Sequence, residues 1–258
     1  MDKNILKLIK AELKDDIKQR GFKTEDQWYR RLANSQVNQS IFFQGSAFGE
    51  QFCVNIYLRP ICSCNAFAKH PGHPIRLGGL AYNYDYWWNY SLDSVKDVAS
   101  LMRKIVFPIL DGCTTYRGMF ETINPVIDSE FHDSTLNNPA GKVFSHISYV
   151  DWIRVLISLN EYEYCKSMIN KVIHMFHMNL DTNNKKFEKL KSQTNDTAEI
   201  QNYELTMEEI KNDFIKLIDI YKSYLEMVES GNLSEFIKET KENESKSLNT
   251  LQKYIVNV

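Results

Sequence analysis

Apolar side chains at Ile5, Leu6, Ile9, Leu13 and Ile17 recur in steps of three and four, and lysines and acids fill the other face. That period predicts an amphipathic helix over residues 3–20, closed by Gly21. The period then shortens. QWYRRLA at 27–33, QSIFFQGS at 39–46 and QFCVNIYLRP at 51–60 are rich in β-branched and aromatic residues, which predicts three strands. GSAFGE supplies the turn between the second and third, and short connections imply an antiparallel meander. Pro60 ends the third strand because it cannot donate to a ladder. A loop over 60–74 leads to a short fourth strand at IRLGGLAY, residues 75–82.

Helical spacing returns at 92–107, where Val95, Val98, Leu101, Met102 and Ile105 form the stripe and Ser91 or Asp93 caps. Pro108 disfavours continuation, and residues 109–147 read as mixed, irregular ground. From 148 the chain reads as helical. SYVDWIRVLISL and EYEYCKSMINKVIHMFHM form two helices meeting near Leu159 and Asn160. Residues 181–201 are polar enough to predict a linker. Met207, Ile210, Phe214, Leu217, Ile218, Tyr221, Leu225 and Val228 then form a strong 3.6-residue stripe, closed by Gly231, and a last helix runs over about 233–256.

These elements predict an α+β fold: an antiparallel sheet of about four strands packed with helices, followed by a C-terminal helical extension. The division falls at 147, with an α+β domain over 1–147 and helices over 148–258 that pack on it or self-associate. A chain of 258 residues is long enough to bury a sizeable core without staples. The first 150 residues carry 17 basic against 15 acidic groups, and the rest 14 against 18. Neither half has the electrostatic footprint of a nucleic-acid or membrane binder. Five cysteines, an odd number in a large chain, argue against a disulfide framework and for a reducing compartment. With no signal-peptide core and no membrane-length apolar run, the expected location is the cytoplasm.

The order of LKDDIKQRGFKTEDQWYRRL, IFFQGS, FCVNIYLRP, IRLGGL and YWWNYS resembles a bacterial domain-of-unknown-function family, number four-three-zero-four. The matching positions are Gly21, Phe22, Arg30, Arg76, Leu77, Gly78, Trp87 and Trp88, within roughly residues 3–110. The resemblance implies a compact α+β domain and brings no catalytic residues.

Four stretches carry candidate chemistry. CSCNAFAKHPGH places Cys62, Cys64, His70 and His73 within twelve residues, a ligand set that suits zinc. Its C-x-C and H-x₂-H spacings are tighter than those of structural zinc sites, so a loop without metal is the competing reading. YNYDYWWNY, residues 82–90, gathers Tyr84, Asp85, Tyr86, Trp87, Trp88 and Tyr90. With Arg76 before it, this is a candidate partner-binding surface, because Trp, Tyr and Arg dominate interface hot spots; core packing is the alternative. Arg30, Arg31, Arg59 and Arg76 lie on strands or their ends and would clamp an anion if one sheet face gathered them, although alternation separates Arg30 from Arg31. His174 and His177 share a helix face but lack the acid of an H-E-x-x-H motif.

The expectation is therefore non-enzymatic recognition of a protein partner, immunity- or antitoxin-like. A metal-dependent or anion-processing enzyme using the Cys62–His73 loop is the first alternative. A scaffold self-associating through its C-terminal helices is the second.

Overall fold

A computed structural model describes residues 1–64, 74–128, 147–194 and 196–258. Its contacts cluster into two units: Met1–Leu159 with Phe236–Val258, and Asn160–Glu235. Neither break coincides with the division at 147 drawn from the sequence. The fold is α+β.

The first unit opens with α1 (Lys3–Glu12) and α2 (Lys14–Gln19). Asp2 caps α1, accepting from the Asn4 and Ile5 amides at 2.9 Å. Leu13 interrupts the regular geometry. The i to i−4 bonds nevertheless run through it, from Leu13 N to Ile9 O and from Ile17 N to Leu13 O, so the expected single helix bends without losing register. Gly21 has φ +69°, the left-handed stop for which its sequence position argues.

The sheet runs β1 (Lys23–Glu25), β2 (Trp28–Ala33), β3 (Val37–Gly45), β4 (Gln51–Pro60) and β5 (Ile75–Arg76), all antiparallel. β6 (Trp88–Asn89) joins β4, and β7 (Ile255–Val256) joins β2 in parallel. The β2–β3 turn puts Asn34 and Ser35 at positive φ, the conformation that matches the twist of a tight hairpin. The predicted fourth strand is mostly helix: only Ile75 and Arg76 pair with β4, and Leu77–Tyr82 forms α3. Asn83, at φ 65°, ends α3 in the left-handed conformation.

β4 is buried at every residue but Gln51 and β3 over Val37–Ile41 and at Phe43, so both sheet faces are covered. One face carries Tyr29, Ile41, Phe43, Val54, Ile56 and Leu58, aligned by the strand register. Arg31 and Gln39 sit among them, at 1% and 0% exposure. Arg31 donates to Gln39 Oε1 at 2.7 Å, Arg20 O at 2.8 Å, Leu110 O at 3.2 Å and Asp111 Oδ1 at 3.1 Å. Gln39 Nε2 donates to Leu110 O and Cys113 O, each at 2.8 Å. Those carbonyls close α5 (Phe107–Gly112), and helix-end carbonyls lack intrahelical donors. The two buried polar side chains thus dock the end of a helix on the sheet.

Between α4 (Leu92–Leu101), capped by Ser91, and α5 lies a π-helical turn, Met102–Val106. It explains why Pro108 does not end the helix as its chemistry predicts. The wider turn takes Phe107 N to Met102 O and eases the strain that a proline puts on an α-helical carbonyl. The described part continues with α6 (Tyr116–Asp128), α7 (Tyr149–Ser158) and, from the chain end, α10 (Ser234–Leu251). α10 meets the sheet unit through polar groups: Asn243 Nδ2 to Cys62 O at 3.3 Å, Ser247 Oγ to Ile61 O at 3.0 Å, and Glu239 to Arg154 at 2.6 Å.

The second unit is a helical hairpin of α8 (Tyr162–Lys191) and α9 (Thr197–Ser230). The linker expected at 181–201 is instead helix on both sides of a short turn. Polar composition concealed a seam at heptad-like spacing. Phe176 meets Phe214 and Tyr221 at 6.0 and 5.6 Å, Phe187 meets Tyr203 at 6.2 Å, and Lys191 pairs with Glu204 at 2.9 Å. A few apolar knobs per turn suffice for such a seam, leaving the remaining positions polar. No helix among the described residues is long and apolar enough to cross a membrane.

Candidate functional site

The aromatic segment 82–90 is built on two supports. Its first is α3, where Gly78 has no side chain and the Tyr86 backbone fills the space. A Cβ placed there would lie 2.6 Å from Tyr86 N, closer than packed atoms tolerate. The second is Asp97 on α4, whose Oδ2 accepts from Trp88 Nε1 at 2.8 Å and from the Tyr82 hydroxyl at 3.0 Å. Burial and this carboxylate push the Tyr82 phenol up to about 12, so it stays a neutral donor.

On that frame Tyr82, Tyr84 and Tyr86 form a closed triangle, with centroids 6.0, 5.1 and 5.9 Å apart. Edge-on and tilted contacts of this kind suit the ring quadrupoles. Tyr84 is 58% exposed and Tyr82 37%. Trp88 is 2% exposed and packs against Tyr86 at 5.0 Å, so it anchors the segment from inside. Trp87 is half-buried, with the Arg76 guanidinium 5.1 Å from its ring. Arg76 also forms an ion pair with exposed Asp85, whose hydrogen bond raises the arginine pKa. Tyr90 is half-buried against Phe52, centroids 6.2 Å apart, and its amide donates to Glu50 O at 3.0 Å.

That last bond joins the segment to the β3–β4 hairpin, whose tip carries the fully exposed Phe48. Sequence reasoning passed over Phe48 and Asp97, and took Tyr82 only as the start of the aromatic run. Phe48 had a signal, a large ring in a Gly-bounded turn where nothing packs. Asp97 had none, since its role depends on contacts nine and fifteen residues away.

The strand register sets Arg30, Arg59 and Arg76 on one sheet face and Arg31 on the other. All three of the first group act electrostatically on Tyr57, where burial, the larger effect, raises the phenol's pKa. Each also has its own local contacts: Arg30 lies 4.2 Å over Trp28, Arg59 interacts with Asp151, and Arg76 holds Asp85. In the loop, Cys62 is fully buried with its thiol pKa raised by burial, while Cys64 is exposed. A buried neutral thiol is a poor metal ligand. His70 and His73 lie outside the described residues. Among those described, no group of three or more His, Cys, Asp or Glu side chains is placed to hold a metal ion. His174 and His177 lie on α8, exposed, in the hairpin.

No family model, no curated protein and no solved structure matches the chain.

Proposed function

We propose that the chain is a protein-recognition module whose contact surface is the tyrosine triangle with Trp87, Arg76 and Asp85, extended by Phe48. The observation that carries this reading is a cluster of rings that is both exposed and held. Tyr84 stands more than half in solvent, yet its neighbours are tied to Asp97 and Gly78. Exposed apolar area marks interaction sites when it is contiguous. Tyrosine gives large contact area for little entropy lost, and pre-ordering lowers that cost again.

In its specific form the role is immunity- or antitoxin-like: the surface covers a harmful partner protein. Site-specific photocrosslinking in the native host tests it. A photoreactive residue at position 84 or 87 traps one discrete protein, and the same residue at Lys238 does not. Co-expression with the trapped protein then restores growth. Identical products at all three positions, or none, reject the reading.

A further inference from the structure

The lysines of the first two helices fall at positions 3, 7, 10, 14 and 18. Steps of three and four place them along one side, and the hydrogen-bond run through Leu13 keeps that side continuous. Three of the four acids on these helices are engaged elsewhere, and the fourth, Asp15, is exposed. Arg103 holds Glu12 at 3.1 Å and Asp16 at 2.9 Å, Arg20 adds to Asp16 at 3.4 Å, and Asp2 is the helix cap. Among the described residues none of the five lysines has an ion-pair partner.

Lys10, Lys14 and Lys18 border a cleft of about 360 Å³, floored by the buried side chains of Ile17, Phe22 and Tyr29. Among the described residues no acidic side chain lines it. Thr24, exposed on β1, adds a hydroxyl at the rim. Tyr29 is 2% exposed. Its ring packs edge-on to Phe43 at 5.5 Å, and its hydroxyl has no hydrogen-bond partner among the described residues. The hydroxyl is not sealed from solvent, and as part of the cleft lining it is free to donate to an acceptor bound there. Burial alone raises its pKa, which keeps the proton on oxygen at neutral pH.

We propose that this cleft binds a small organic phosphate, its phosphoryl oxygens on Lys10, Lys14 and Lys18 and on the Tyr29 hydroxyl, its apolar body against Ile17 and Phe22. A phosphomonoester carries about two negative charges and three acceptor oxygens at neutral pH, which suits three ammonium groups and a phenol better than one carboxylate does. The cleft lies at the small end of the range of ligand pockets. The inference is independent of the recognition surface, since the two share no residue.

The test is calorimetric titration of the full chain with AMP, adenosine and inorganic phosphate at low salt. AMP binds saturably, inorganic phosphate binds more weakly, and adenosine does not bind. Lys14→Ala combined with Lys18→Ala weakens AMP by about tenfold or more. Tyr29→Phe weakens it severalfold and leaves the thermal midpoint of the free protein unchanged, because no hydrogen bond is lost. Failure of all soluble phosphates to bind at about 10 mM, or AMP binding untouched by both variants, overturns the proposal. Binding only to phosphoinositide-bearing vesicles overturns it too, in favour of a lipid surface.

Discussion

Trp88 donates its indole N–H to Asp97 Oδ2 at 2.8 Å, and that same oxygen accepts from the Tyr82 hydroxyl. One helical carboxylate therefore fixes both the buried anchor and the exposed rim of the aromatic segment. Asp97→Ala is expected to cost about 1.5–3 kcal/mol, the range for hydrogen bonds to charged groups. Urea unfolding followed by tryptophan fluorescence measures it. Asp97→Asn, which keeps an acceptor, costs less.

Arg31 is the second point of tension. It is buried among apolar side chains and donates to four oxygens on two elements and a turn. Lysine keeps the charge but cannot reproduce the planar fork. Arg31→Lys is therefore expected to destabilise by about 2–4 kcal/mol, because carbonyls and a glutamine are left unpaired in the interior. Chemical denaturation reads the loss; a change within about 0.5 kcal/mol would assign the contacts no structural weight.

The chain end is tied down by Glu25, which accepts from Lys253 at 2.7 Å and also from the Tyr254 hydroxyl. The Lys253 bond, then the Tyr254 bond, holds the Glu25 carboxyl below its ordinary range. A folded-state pKa depressed in this way stabilises above the unfolded value, about 4.3, and the contribution disappears as pH falls through the folded value. Amide exchange at Ile255 and Val256 is thus expected to quicken, relative to the sheet core, as pH drops below about 4. Glu25→Gln removes that pH dependence. The carboxylate is partly solvated, so global stability moves little.

Four of the five thiols are buried. Burial pushes Cys53 up to about 11 and Cys113 and Cys165 up to about 12, and raises Cys62 as well. Cys64 is exposed. Reaction with a thiol reagent in native buffer should modify one residue promptly, Cys64, and the other four only on unfolding. Fast reaction at Cys62 would mean that its loop presents the thiol outward.

What the sequence made legible was local. β2, β3 and β4 follow from β-branched and aromatic runs and a Gly-bearing turn, and Ser91 by its hydroxyl and Gly231 by its backbone freedom mark helix ends. What it concealed depends on distant partners. IRLGGLAY reads as a strand by composition, but Gly78 is there to admit the Tyr86 backbone, and α3 is the conformation that brings them together. β7 pairs with Leu32 and Ala33 across more than two hundred residues, which no local pattern announces. Within the aromatic segment, composition left core packing and an exposed surface as alternatives and did not say which ring would be buried. Trp88 faces inward because it pairs opposite Phe52 on β4.

The central claim is that the exposed tyrosines carry recognition. The most direct measurement is the affinity of the crosslinked partner, once purified, for the wild-type chain and for Tyr84→Ala. Among the described residues Tyr84 makes no hydrogen bond that holds the fold, so its loss should leave the unfolding midpoint in place. The account predicts that binding weakens by about thirtyfold or more, the loss expected at an aromatic hot spot. An affinity unchanged within about twofold, with the fold intact, would contradict it.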